Sequence, residues 1–344
     1  MSRHELRPLV LDELEPVIEL HRHTWSPDVP AEVFRRVYMQ LLRTPWARGH
    51  VQILGWYEGG VLISAFRLYR LEMLMNGHKR SCAGMGTVLT FPERRNRGHA
   101  SAMLRTALDA FAPKYETCIL FSASGPRFYR ELGFFPLPNL KYVLIRPTAE
   151  SASGGKPARK RAAVPVEERL EAEARLYGPQ DLPDLVSVYN LDVSLRKLGI
   201  LRSESYWQHL FERERVGQML STYHAPGKDG EAEAELRTFM CMVEGQPKSY
   251  ITVRLKKDRV QIMESPAESY QFQNWMLRYA ISLSRSEEIL RVESQVPLRS
   301  PDGEVRVLVR RDSPLMMLHP LGSGLRPEDF PYPAENFLWS RDRF

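Results

Sequence analysis

VLTFPERRNRGHA, residues 88–100, joins a strand-like run to an amphipathic helix. Pro92 stops the strand, and apolar side chains then recur at helical spacing from Ala100 to Phe111. The connecting loop is rich in arginine and ends at Gly98. Because the first turn of a helix presents unpaired N–H groups at the positive end of the helix dipole, this strand, loop and helix predict a site for an anion such as pyrophosphate.

The residue types in this loop fit that chemistry. Gly98 has no Cβ to hold a phosphate away, Ala100 is small, and Arg95 and Arg97 add positive charge. The backbone of His99, rather than its imidazole, is expected to contribute. The predicted cofactor-binding residues of this segment are Arg95, Asn96, Arg97, Gly98, His99, Ala100 and Ser101. Taken alone, R-x-x-G-x-A is short, and an ordinary loop with surface arginines also explains it.

A second motif lies one helix and one strand further on. The run Cys118 to Phe121 reads as a strand, and SGPRFYRELGF follows at residues 124–134. The pair R-x-x-G-x-A and F-Y-x-x-L-G-F at this separation resembles the GNAT superfamily of acyl-coenzyme A (acyl-CoA) dependent N-acyltransferases. The resemblance covers most of residues 1–148 and implies acetyl-CoA as cosubstrate.

The resemblance implies roles for particular residues. The strand before the loop would open from its neighbour, and the backbone of Val88, Leu89 and Thr90 would hold the pantetheine arm and its thioester. A backbone N–H there would stabilise the oxyanion formed when an amine attacks. Tyr129 falls where the family places the tyrosine that protonates the leaving thiolate, although it also reads as an aromatic packed on Phe128.

Two further positions have alternative readings. Ser124 corresponds to a polar residue near the cofactor sulfur, and it also suits the cap of a short helix that begins at Pro126. No motif identifies the base that deprotonates the acceptor amine. His21, His23, Trp25 and Asp28 lie in the region that lines the acceptor pocket in the family, but such residues also serve in packing or at the surface.

The expected function is transfer of an acetyl group from acetyl-CoA to a primary amine by direct attack. A non-catalytic acyl-CoA-binding sensor or an interaction scaffold is the alternative. The expected partner is a small-molecule or peptide amine, with no nucleic acid and no membrane, and a homo-oligomer stays open. The identity of the acceptor is not encoded in any motif.

The chain also divides by composition. AESASGGKPARKRAAV, residues 149–164, has the composition of a linker, which predicts a catalytic domain over 1–148 and a second domain over 165–344. Apolar positions between 13 and 20 recur at an offset of 168 residues, and a similar succession of strands follows, so the second domain is expected to repeat the first. The predicted fold class is α/β (α+β), with two tandem GNAT-like domains, each a mixed, largely antiparallel sheet flanked by helices.

The second domain is expected to be degenerate, because SPAESYQF at 265–272 lacks the arginine-glycine loop and carries Glu268 where phosphate would need attraction. Tandem domains resemble the enhanced intracellular survival acetyltransferases, here without their sterol-carrier-like third domain. That group brings its terminal carboxylate to the active site, and this chain ends in Phe344. An aromatic tail from Phe330 onward would deliver Phe344 to the first domain, or would simply pack on the surface.

Composition excludes other classes. The 344 residues include 43% hydrophobic and 26% charged residues, with no apolar run long enough for a bilayer. The net charge of +6 owes +4 to Lys156, Arg159, Lys160 and Arg161, a run that a solvated linker explains without nucleic acid. The N-terminus lacks a secretory pattern, and the three cysteines lie far apart, so buried free thiols, no metal and a cytoplasmic location are expected.

Overall fold

The computed structural model describes residues 4–123, 125–137, 140–145, 171–223, 235–256, 259–286, 291–296, 306–311 and 315–330. Its helices are α1 Leu14–Trp25, α2 Ala31–Leu42, α3 Pro45–His50, α4 His99–Phe111, α5 Arg127–Arg130, α6 Leu182–Ser194, α7 Glu204–Ser221 and α8 Tyr270–Ser286. Its strands are β1 His4–Pro8, β2 Val51–Glu58, β3 Val61–Met75, β4 His78–Thr90, β5 Thr117–Ser122, β6 Phe135–Pro136, β7 Leu140–Ile145, β8 Glu173–Leu176, β9 Leu198–Ile200, β10 Glu235–Val243, β11 Gln246–Lys256, β12 Arg259–Glu264, β13 Arg291–Ser294, β14 Arg306–Arg311 and β15 Leu315–His319.

Two compact units divide these elements, and each is discontinuous in sequence. The first comprises Met1–Asn139, Val193–Glu233 and Arg311–Phe344, and the second comprises Leu140–Asp192 and Ala234–Arg310. The sequence predicted a sequential division at 149–164, a segment outside the described residues. The structure groups the chain differently, because β7 belongs to the second unit while α7, β9 and β15 belong to the first.

The first unit is built on a sheet with the strand order β1-β2-β3-β4-β5-β15-β6, and β9 pairs with part of β3. Its described ladders are antiparallel except for β4 and β5, which run parallel and are joined through α4. One apolar core lies between the sheet and α4, and a second lies between the sheet and α1 with α2.

The hairpin between β3 and β4 shows why the sheet is long. Asn76 and Gly77 both have positive φ, 49° and 79°, as a type I′ turn requires. β3 runs without a break from Val61 to Met75, because residues 67–70 stay paired with β4. Arg67 and Arg70 interrupt the apolar pattern without interrupting the ladder.

The second unit repeats this plan. Its strand order is β14-β7-β13-β12-β11-β10-β8, and β12 runs parallel to β13 through α8 while the other described ladders are antiparallel. An antiparallel meander followed by a parallel strand–helix–strand crossover therefore occurs in both units. The predicted α/β (α+β) fold class is confirmed, with two units that each have a mixed, largely antiparallel sheet flanked by helices.

Three smaller expectations concern the whole chain. Cys82, Cys118 and Cys241 are free and buried, as predicted. Over the ranges that the structure describes, no three His, Cys, Asp or Glu side chains gather into a group suited to a metal ion. None of the helices in the described part combines the length and apolar content that crossing a bilayer demands.

Candidate active site

The site begins where β4 leaves β5. The parallel ladder joins Cys82 to Thr117 and ends with Met85 opposite Leu120, although β4 continues to Thr90 and β5 to Ser122. In the described ladders, residues 86–90 have a partner strand only on the β3 side. The two strands therefore separate into a gap that exposes main-chain groups of β4, at the place where the resemblance put Val88 to Thr90.

A β-bulge marks the start of this gap. Ala65 pairs with Leu89 and Arg67 pairs with Gly86, so Thr87 and Val88 together stand opposite Phe66. Thr87 has a φ of 52°, which is an outlier for a β-branched residue. Beyond the bulge, Val88 packs on the α4 side of the sheet while buried Leu89 packs on the side of α1 and α2, as successive strand residues do.

The loop after β4 folds tightly before α4 begins. A single 3₁₀ turn covers Pro92–Arg94, and Nε of Arg95 donates a hydrogen bond to the carbonyl oxygen of Thr90 at 3.0 Å. Asn96 has a φ of 60°, and Gly98 has a φ of 78° as the residue that caps α4. The Arg95 side chain thus braces the loop against the strand, a role that its sequence position did not suggest.

Gly98 combines a backbone requirement with open space. Its positive φ disfavours any side chain, and a Cβ added there would meet no atom of the chain within 4 Å. Gly98 and Arg97 are both exposed, and the half-buried first residues of α4 follow them directly. His99 turns its imidazole toward His4, whose ring stacks on Trp56, so its backbone is the part that faces the loop. These features fit a pyrophosphate group.

Tyr129 comes after β5, the strand on the other side of the gap from β4. It lies on the short helix α5 after β5, with its ring edge-on to Phe128 and Phe134 at centroid distances of 5.0 and 6.0 Å. The half-buried ring packs against the same apolar core as Val88. Burial raises the pKa of the phenol above its ordinary value, so Tyr129 keeps its proton at neutral pH. Ser124 and Phe344 lie outside the described residues.

A cavity of about 310 Å³ opens on the other face of the bulge, entirely within the first unit. Helices α1, α2, α3 and α7 and strands β2, β3 and β4 contribute to its walls. Its lining residues are His21, Ser26, Phe34, Val37, Tyr38, Leu41, Leu42, Ala47, Val51, Arg67, Tyr69, Thr87, His209, Arg213, Val216 and Leu220. The presence of Thr87 in this wall connects the cavity to the strand that would hold the thioester.

Two histidines in the cavity are uncharged at neutral pH. Burial, helped by the charge of Arg67, lowers the pKa of His21 to about 3. Burial together with nearby Arg213 and Arg67 lowers the pKa of His209 to about 4, and its Nδ1 lies 2.8 Å from the hydroxyl of Thr44. Both imidazoles therefore act as neutral polar groups beside the bulge.

The sequence located only part of this cavity. Of the residues expected near the acceptor, His21 lines it, whereas His23 is exposed beside Glu19 and Trp25 is half exposed at the rim of α1. Arg67, Tyr69 and the α7 residues were not expected. Arg67 breaks an apolar strand pattern, and that charge in a core strand was the available signal. No sequence signal pointed to the α7 residues, because they lie some 120 positions beyond the arginine-glycine loop.

The equivalent place in the second unit is built differently. Glu264 ends β12 as Thr90 ends β4, but its carboxylate is fully buried and accepts a hydrogen bond from the Tyr250 hydroxyl at 3.0 Å. Only residues 265–269 separate β12 from α8, without arginine or glycine. Glu268 pairs with Lys248 at 3.0 Å. A buried carboxylate and a short acidic loop do not favour a phosphate group.

Comparison with known proteins agrees with this geometry. Residues 5–136 match the model of the acetyltransferase (GNAT) domain family. A comparison with curated proteins gives no significant match. Residues 5–136 are therefore similar to a GNAT acetyltransferase domain, as the sequence motifs predicted, and this match covers 132 of the 344 residues.

Solved structures share the fold at low identity. A GCN5-related N-acetyltransferase from Anabaena variabilis is 13% identical with a TM-score of 0.64, over 93% of this chain and 73% of that one. A probable N-acyltransferase of Enterococcus faecalis is 16% identical with a TM-score of 0.66, over 94% and 74%. Eis1 of Mycobacterium abscessus is 14% identical with a TM-score of 0.56, over 93% and 74%. The similarity to Eis1 at this identity is a similarity of fold alone.

Proposed function

We propose that the first unit transfers an acetyl group from acetyl-CoA to a primary amine by direct attack, with Tyr129 as the general acid. The observation that carries the proposal is the separation of β4 from β5 beyond Met85 and Leu120, beside the left-handed bulge at Thr87. The gap leaves the backbone of Val88 to Thr90 without a partner strand on one side, where N–H groups suit a thioester carbonyl.

The anion site lies next to this gap along the chain. The residues from Arg95 to Ser101 would hold the pyrophosphate through the N-terminal turn of α4, with Arg97 adding charge from the exposed loop. Arg95 would contribute mainly by fixing the loop, because its Nε is bonded to the Thr90 carbonyl. Ser124 and the Phe344 carboxylate stay candidates for the site, since both lie outside the described residues.

The reaction balances without a covalent enzyme intermediate. The amine nitrogen bonds to the thioester carbonyl carbon and the carbon–sulfur bond breaks. The leaving sulfur takes a proton from the Tyr129 hydroxyl, and the nitrogen gives up a proton to water, which restores the phenol. Because burial raises the pKa of Tyr129, the phenol holds its proton until the thiolate appears.

Calorimetric titration with acetyl-CoA tests the proposal. We expect one site per chain, because the second unit lacks the loop, and we expect Gly98→Glu to abolish it by placing a carboxylate where pyrophosphate would lie. Gly60→Glu is the matched control, since Gly60 has a φ of 81° and equally open surroundings in the β2–β3 hairpin. Two sites would overturn the assignment of a single acyl-CoA site, and no binding by the wild type would overturn the proposal.

A further inference from the structure

The cavity beside Thr87 is basic and apolar. Arg67 and Arg213 are its charged lining residues, and among the described residues that line it none carries a carboxylate. Most of the remaining wall is aliphatic or aromatic. A polyamine or another cationic acceptor would therefore find no counter-charge in this wall, and it would be repelled by the arginines.

Arg67 lies against tyrosine side chains of the cavity wall. Its guanidinium lies over the Tyr38 ring at 4.7 Å and donates a hydrogen bond to the Tyr69 hydroxyl at 3.1 Å. Its Nε is buried without a hydrogen-bond partner, and no carboxylate in the described part of the chain lies within ion-pair distance of it. Arg67 is half-buried and its guanidinium contacts tyrosines rather than a carboxylate, so an anion that enters the cavity would supply a counter-charge.

The neighbouring histidines carry no charge, so they neither balance the charge of Arg67 nor attract an anion themselves. His21 is neutral, and its Nδ1 is also buried without a partner. Its ring contacts Phe34 and Tyr38 edge-on, which fixes the imidazole in the aromatic wall. Arg67 and His21 therefore line the same largely apolar cavity, and each carries one buried polar atom without a hydrogen-bond partner.

From this arrangement we infer that the acceptor is an amine that also carries an anionic oxygen group, a carboxylate or a phosphate, on an apolar body. The anionic group binds Arg67, the apolar body packs against the wall that Phe34 and Val216 help to form, and the amino group points to the bulge at Thr87. A volume of about 310 Å³ suits a molecule of amino-acid size. The inference rests on the proposed function and adds the substrate class.

The register of the sheet supports this orientation. Arg67 stands opposite Gly86, one residue before the bulge, so its side chain starts from the position next to the strand that would hold the thioester. An acceptor with its anion on Arg67 needs only a short spacer to bring nitrogen to the carbonyl carbon.

Four acceptor amines, which include one matched acid and amide, test the inference in the full chain. Acetyl transfer is measured with L-phenylalanine, L-phenylalaninamide, phosphoethanolamine and spermidine, and acetyl-CoA binding is followed separately by calorimetry. We expect kcat/KM for phenylalanine to exceed that for its amide by about tenfold or more, the scale of one charge-assisted ion pair. A phosphoethanolamine rate above that of phenylalanine would assign the anion as phosphate.

Arg67→Gln should narrow the preference for acid over amide to less than about threefold while acetyl-CoA binding stays unchanged. Arg70→Gln is the control, because Arg70 is an exposed arginine on the same strand bonded to Gly49 and Gln52. A preference for spermidine or the amide overturns the inference, and so does acylation of none of the four probes with acetyl-CoA still bound. Loss of acetyl-CoA binding by the wild type would instead overturn the proposed function.

Discussion

Arg67 faces Gly86 across the β3–β4 ladder, and the next residue, Thr87, is the one that leaves the ladder with a φ of 52°. A cationic side chain on β3 and a distortion of β4 thus lie at the same level of the sheet. The glycine leaves room beside the arginine, and the bulge frees the backbone beyond it. The acceptor cavity and the proposed thioester site therefore share one short stretch of β4.

Substitutions at Thr87 should reveal the strain in this bulge. Asn tolerates a left-handed backbone, whereas Val keeps the β-branch and loses the hydroxyl, so we expect Thr87→Asn to be more stable than Thr87→Val by about 1–2 kcal/mol. Urea unfolding of both variants measures the difference. Equal free energies of unfolding would show that the bulge relaxes without cost.

Tyr129→Phe should separate catalysis from packing. Because the ring and its contacts with Phe128 and Phe134 are kept, we expect acetyl-CoA affinity within about twofold of wild type and a kcat lower by about a hundredfold, the usual scale for one acid–base group. Steady-state kinetics together with calorimetry make the measurement.

Tyr115→Phe is the matched control for Tyr129. Tyr115 packs on the same apolar core, edge-on to Phe111, and lies before β5 rather than after it. Its variant should keep the wild-type kcat. An unchanged kcat in Tyr129→Phe would remove the phenol from the reaction and favour the reading of the unit as an acyl-CoA-binding module.

Stability should fall on mild acidification because of His21 and His209. Their pKa values in the folded chain are lowered to about 3 and about 4, below the ordinary 6.5, so the unfolded chain binds more protons in between. The stabilising contribution is complete above pH 6.5 and is lost as the pH falls toward 4, by up to about 1.4 kcal/mol per pH unit for each histidine.

His21→Phe isolates one of these two contributions. A phenyl ring suits the contacts with Phe34 and Tyr38, so we expect the variant to lose less unfolding free energy between pH 6.5 and 4.5 than the wild type. Trp25→Phe, which alters the ring beside His21 without removing a titrating group, should keep the wild-type slope. Parallel pH dependence in all three proteins would contradict the buried, neutral state of His21.

The motifs were readable from the sequence because each is local. Pro92 and Gly98 mark the two ends of a loop whose geometry follows from a few consecutive residues. The Asn76-Gly77 turn likewise fixes the register of the hairpin that β3 and β4 form. Arg67 was not readable, because its environment is assembled from α2, β3 and α7, which are distant in sequence. The same limit applies to the strand that completes the first sheet.

That strand is β15, which inserts between β5 and β6 although it lies nearly 200 residues after β5. Met316, Met317 and Leu318 are buried, yet an apolar run of five residues near the end of a chain does not reveal its partner. The sequence assigned this run to the second domain. Only long-range pairing, such as Leu318 opposite Ile119, places it in the first sheet.

Gly133→Ala tests that placement. Gly133 has a φ of 92°, and a Cβ there would lie 2.9 Å from Nε2 of His319 at the end of β15. Gly125 has the same φ with nothing within 4 Å, so Gly125→Ala carries the backbone cost alone. We expect Gly133→Ala to lower the free energy of unfolding by about 1–3 kcal/mol more than Gly125→Ala, the range for overpacking. Adding His319→Ala to Gly133→Ala should recover most of that difference, because the imidazole is the obstacle. If the two glycine variants are equally stable, β15 does not lie against this turn.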